Sequence, residues 1–133
     1  MTTTYALLLD RCGLSIREAA EFHDVRLDTV KSWSAGRNGV PPGAMAELRE
    51  LYAKIETAAA EGLKVIREQR AKEVELGLAS YDHESQSLGW PCVGAHRAVL
   101  GLVAARAKGV VMIVPRGSTA ATAAASDAHD REN

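Results

Sequence analysis

Trp33-Ser34-Ala35-Gly36-Arg37-Asn38-Gly39-Val40-Pro41 is the stretch from which the fold is read, together with Leu14-Ser15-Ile16-Arg17-Glu18-Ala19-Ala20 upstream. The two lie at the spacing of a helix-turn-helix unit, in which two short helices cross at a steep angle. Ser15 is placed as an N-cap, and Glu18, three residues on, completes a capping box. Val30 and Trp33 share one face of the second helix, expected over about Leu27 to Ser34, and turn it inward. Gly36 ends that helix. The second helix of such a pair can enter the major groove of DNA.

Upstream, Tyr5, Leu8 and Leu9 recur at helical spacing, which predicts a short helix from Tyr5 to Arg11, ended by Gly13. Asp24 falls at the turn, where a left-handed residue is needed and Asp is tolerated better than most. Arg26 stands at the cap of the second helix, and a guanidinium cannot accept the capping hydrogen bond. That cap is therefore expected to be weak, or supplied by Asp24 or Asp28.

Downstream, Val40-Pro41-Pro42 reads as rigid and extended. A long helix is expected from about Gly43 to Lys72, with Met45, Leu48, Tyr52, Ile55, Ala59, Leu63 and Ile66 in one apolar stripe. Glu50 with Lys54 and Glu68 with Lys72 are spaced to pair on its exposed face. Such a helix spans about 45 Å, and part of its stripe is expected to meet a second copy of the chain. The period then changes. Val74, Leu76 and Leu78 alternate with Glu73, Glu75 and Gly77, as in a half-buried strand.

Asp82 to Gly89 reads as a polar loop, and Pro91 suits the first turn of another helix. That helix carries Val93, His96, Val99, Leu100 and Val103, takes Arg106 and Lys108 into its last turn, and stops at Gly109. Val110 to Val114 reads as a second strand, and the Ser-, Thr- and Ala-rich tail from Pro115 as disordered. Two strands make a poor isolated sheet, whereas a dimer would supply four. Leu76, Leu78, Trp90, His96, Leu100, Val103, Val111 and Ile113 are the residues expected at that dimer contact. The expected organisation is a mainly α protein: a DNA-binding unit over 1–45, a connecting helix over 46–72, a strand-helix-strand dimerisation unit over 73–115 and a tail over 116–133.

The totals set the class. In 133 residues, one domain or two small ones share a core, and 47% hydrophobic with 25% charged residues is ordinary for a globular protein. No apolar run approaches the roughly 20 residues of a membrane helix, and Met1-Thr2-Thr3-Thr4 lacks the pattern of a secretion signal. Cys12 and Cys92 stand far apart, which favours reduced thiols and a cytoplasmic setting. A net charge of −1 counts against indiscriminate binding of polyanions. Locally the balance differs, since Arg26, Lys31 and Arg37 face only one acid, Asp28, between Arg26 and Gly39.

With Ala20 where the helices cross, Val30 and Trp33 as anchors, the Gly36-Arg37 turn and Pro41 beyond it, residues 5 to 45 resemble the Xre/Cro-type, lambda-repressor-like helix-turn-helix family. Asp24 in place of glycine, His23 in place of a large aliphatic and Arg26 at the cap depart from that pattern. Trp33 to Pro41, the long helix, and Gly89-Trp90 before a helix and final strand also look like the anti-CRISPR-associated regulators. That resemblance implies an N-terminal DNA-binding unit, a C-terminal dimerisation unit, and repression of the protein's own operon at inverted repeats.

The residues expected to touch DNA follow from the two inward anchors. Leu27, Asp28, Lys31 and Ser32 point outward, flanked by Thr29 and Ser34, to read base edges. Ser15, Arg17, Arg37 and Asn38 are placed to hold phosphates, and Arg26 joins the interface. Cys92 and His96, four apart, suggest with His83 a thiol nucleophile or a metal site, but no fourth ligand is nearby. A packed histidine is the better account of His96, and neither an enzyme nor a cofactor is expected. Two alternative readings stay open: an antitoxin that also grips a toxin partner, and an RNA-binding translational repressor.

Overall fold

The computed structural model describes residues 2–70 and 72–117. Among them are six helices and two strands: α1 (Thr4–Cys12), α2 (Ile16–His23), α3 (Leu27–Ala35), α4 (Pro42–Gln69), β1 (Glu73–Leu78), α5 (Asp82–Ser87), α6 (Val93–Arg106) and β2 (Val110–Pro115). The protein is mainly helical with one small sheet. The expected tail lies outside the described residues from 118 onward. Arg116, counted with it, is held by its backbone N–H on the Leu78 carbonyl at 2.8 Å.

The helix ends have local causes. Thr3 caps α1 by accepting from the Ala6 N–H at 3.1 Å, and Gly13 closes it in the left-handed region. The Ser15–Glu18 capping box forms in both directions at 3.1 and 2.9 Å. Asp24 closes α2 with φ of 56°, and Gly36 closes α3 with φ of 77°. Arg26 makes no capping hydrogen bond, and no other side chain takes its place. Pro41 is extended and Pro42, rather than Gly43, begins α4, where its missing N–H costs nothing. The same helix stops at Gln69, short of Lys72, with Arg70 left-handed beyond it.

The stripe of α4 is covered within the chain. Ala44, Leu48, Leu51, Ile55, Ala59 and Leu63 are buried, while Met45, Tyr52 and Ile66 lie at its margin. Its covering comes from α1 and from α6, which runs alongside it. Most of the stripe is thus covered within the chain, and Met45, Tyr52 and Ile66 stay half-exposed. The pairing expected of Lys54 is corrected: its ammonium donates to the Gly89 carbonyl at 2.6 Å and lies 4.7 Å from the Trp90 ring centre, so it is not held by Glu50. Lys72 lies beyond the helix and cannot extend a helical pair with Glu68.

One buried cluster runs from Tyr5 to Val103. Residue 45, expected as the end of the first unit, lies inside α4. Cys92, Ala95, Val99 and Val103 of the C-terminal half pack into the same interior as Leu9, Cys12 and Leu48. Residues 82–87, read as a loop, form α5, whose acidic first turn suits a helix start. Only Ser85 of that helix is buried, so no apolar period announces it. The Asp82 carboxylate accepts from the Val93 N–H at 3.0 Å and so ties α5 to α6. Pro91 precedes the Cys92 cap and is outside α6.

β1 and β2 pair in parallel, Glu73 opposite Val110 through Leu78 opposite Pro115, with α6 as the crossover. The crossover packs on β1. Trp90, His96 and Val103 were expected at a dimer contact. They are 8%, 8% and 2% exposed within the single chain. Leu76, Leu78, Leu100 and Val111 are half-buried, and Ile113 is exposed.

Candidate nucleic-acid interface

α3 is fixed by its inner face. Val30 is fully buried, and Trp33 meets the Tyr5 ring edge-on, centroids 5.7 Å apart at 84°. His23 completes this aromatic group, 5.7 Å from Trp33 and 5.1 Å from Phe22. Its Nδ1 lies 3.4 Å from the Glu47 carboxylate on α4. An imidazole at a position expected to be aliphatic thus joins α2, α3 and α4 through ring contacts and one polar contact. Burial, with the Glu47 charge adding to it, pushes the Tyr5 hydroxyl up to about 12. The far end of α3 is tied down as well, since the Thr3 hydroxyl donates to the Ser34 carbonyl at 2.9 Å.

With that face held, a rotation of about 100° per residue turns the intervening side chains outward. Asp28 and Lys31 are exposed, and Leu27, Thr29 and Ser32 are half-exposed beside them. Ser15 and Arg17 at the start of α2, and Arg26, Arg37 and Asn38 beside the two ends of α3, are exposed. Among the described residues, none of Arg17, Arg26, Lys31 and Arg37 is engaged in an ion pair. Their charges are available to an outside anion. The Ser15 hydroxyl accepts from Glu18 within the capping box and still has its own hydrogen to donate. The start of α3 at Arg26 has no side-chain capping hydrogen bond, and uncapped N–H groups at a helix start are favourable ground for a phosphate.

Two of the expected contacts are coupled to one another. The Asn38 side-chain amide donates to the Ser32 hydroxyl, so a residue expected to hold phosphate instead braces one expected to read bases. Thr3 was missed in the sequence. Its signal was a threonine three residues ahead of the Ala6 N–H it caps, but its bond to Ser34 depends on a contact 31 positions away.

The residues considered for catalysis are internal or separate. The thiol of Cys92 is buried, pushed up to about 11 chiefly by desolvation, and turned to the Gly13 carbonyl at 3.8 Å. A thiol so raised carries very little thiolate near neutral pH. His96 Nδ1 accepts the Ala79 N–H at 3.1 Å, and His83 is exposed on α5. Among the described residues, no group of three His, Cys, Asp or Glu side chains is placed to hold a metal ion. No helix there is long and apolar enough to cross a membrane.

No protein-family model matches the chain, and comparison with curated proteins finds no significant match.

Proposed function

We propose that the protein is a cytoplasmic, sequence-specific regulator that binds double-stranded DNA through a helix-turn-helix unit of the Xre/Cro kind. In this reading α2 and α3 are the two helices and α3 enters the major groove. The observation that carries the reading is the outward side of α3. It is exposed, backed by Val30 and Trp33, and carries Lys31 with Arg26 and Arg37 beside its ends and Arg17 on the first turn of α2, none of the four in an ion pair among the described residues. A groove-reading helix needs these three properties together.

The regulator works as a homodimer on an inverted repeat, with half-sites about one helical turn, roughly 34 Å, apart. Support comes from the sheet. The Val110 N–H donates to Lys72 and the Arg116 N–H to Leu78, so even-numbered residues of β2 turn their backbone toward β1. Val111 and Ile113 then offer theirs to the other edge, which is open among the described residues. That edge belongs to Val110-Val111-Met112-Ile113-Val114, which has no charge to discourage pairing, whereas β1 carries Glu73 and Glu75. Val110, Met112 and Ile113 are 55%, 40% and 45% exposed. Antiparallel pairing of β2 with its counterpart in a second copy extends the sheet to four strands. Occupation of a promoter by this dimer represses transcription.

Selection of bound fragments from a random duplex library tests the proposal. It should recover one sequence with two-fold symmetry. Recovery of no preferred duplex, or of structured RNA only, would overturn it.

A further inference from the structure

The C-terminal ends of α4 and α6 come together. Between them lies a cleft of about 310 Å³ lined by Leu63, Ile66, Arg67, Arg70, Arg106, Ala107, Lys108 and Gly109. Its lining contains, among the described residues, four cations and no acid. Among the described residues, none of the four makes an ion pair or a side-chain hydrogen bond. Cations near helix C-termini commonly offset the helix dipole, which amounts to about half a negative charge per helix. Two such ends account for about one of the four positive charges, and among the described residues the rest is unanswered. Beneath the cations the floor is apolar: Leu63 is 7% exposed, and Ile66 and Ala107 are half-buried.

We propose that this cleft binds a small phosphate monoester with a planar or apolar body. Guanidinium forks of Arg67, Arg70 and Arg106 match the oxygens of a phosphate dianion, and Lys108 adds a point charge. The floor of Leu63, Ile66 and Ala107 takes the uncharged body. The cleft has the volume of a small-molecule site, and its apolar floor would be unused by a convex nucleic-acid backbone. The site also stands where α4 leads into β1 and α6 into β2, so a ligand there bridges the segments that begin the two strands. The proposal does not depend on what α3 binds.

Titration calorimetry of the full chain in low salt, with adenosine monophosphate, inorganic phosphate and adenosine as probes, tests it. Adenosine monophosphate should saturate with Kd below about 1 mM, inorganic phosphate should bind more weakly, and adenosine should not bind detectably. Combined Arg67→Gln and Arg106→Gln should weaken the nucleotide by about tenfold or more, and Lys108→Gln alone by less, with the unfolding midpoint kept. Absence of saturable nucleotide binding to the wild type overturns the proposal. So does equal binding by the wild type and the double variant. If the double variant instead loses affinity for random-sequence duplex while the nucleotide binds neither protein, the cleft is a nucleic-acid contact and the small-ligand proposal fails.

Discussion

Gly13 and Gly94 meet backbone to backbone. A Cβ on Gly94 would lie 1.9 Å from the Gly13 carbonyl oxygen, and a Cβ on Gly13 would lie 2.0 Å from that of Gly94. The turn after α1 thus seats the start of α6, and the C-terminal half is docked on the helices that carry α3. Gly94→Ala should destabilise the protein by about 2 kcal/mol or more, because a rigid backbone must move to admit one methyl group. Gly101→Ala, in the same helix with nothing within 4 Å of the added carbon, should instead stabilise by about 0.5–1 kcal/mol. Urea midpoints of both variants check the pair. Equal midpoints would mean that the contact is looser than described.

Lys31 and Arg37 should divide the work on DNA. Lys31→Ala should alter which base is preferred at one position of each half-site, at a cost of about 1–3 kcal/mol. Arg37→Ala should weaken all sequences alike and reduce the salt slope by about one. Binding measured across a set of operator variants and salt concentrations separates the two. Indistinguishable behaviour would contradict the assignment of base reading to α3 and phosphate holding to the turn after it.

Ile113→Pro should leave the β1–β2 ladder intact, because the N–H it removes faces the open edge. It should block pairing with a second β2, give a monomer by sedimentation, and lower operator affinity by about a hundredfold as the two half-sites lose their linkage. A dimer of unchanged strength would exclude the β2 edge. Removing residues 73–133 is a poorer test, since it would strip Cys92, Ala95, Val99 and Val103 from the core around Leu48.

The parts legible in the sequence are those written in local chemistry. The Ser15–Glu18 box, the left-handed Asp24 and Gly36, and the inward Val30 and Trp33 each follow from residues a few positions apart. The period-two pattern likewise located β1 at Glu73–Leu78. What covers the α4 stripe was not legible, because the covering helix α6 is brought there by Gly13 and Gly94, 81 positions apart and without side chains to announce a contact. Helix α5 escaped because a six-residue helix with one buried serine has no apolar face to detect.

Cys12 and Cys92 should resist alkylation in the native protein. Burial holds both thiols up to about 11, so at about pH 8 thiolate is scarce and access is closed. Iodoacetamide should modify both quickly in denaturant and slowly without it. Rapid native modification of Cys92 would show that the seat between Gly13 and α6 opens readily.

His96 should make the fold sensitive to acid. Its Nδ1 accepts the Ala79 N–H, a bond that only the neutral ring can make at that atom. Desolvation lowers its pKa, the Arg116 charge lowers it further, and Glu84 opposes them. The unfolded chain, with histidine near about 6.5, therefore binds the proton more readily than the folded one. Stability from this source is full above about pH 6.5 and declines as pH falls through the interval down to the lowered folded value. His96→Asn keeps an acceptor near the Nδ1 position and removes the titration. Wild-type urea midpoints should fall more steeply than those of the variant between about pH 7 and pH 5. Parallel decline in the two proteins would assign the acid sensitivity to the carboxylates and leave His96 without a part in it over that range.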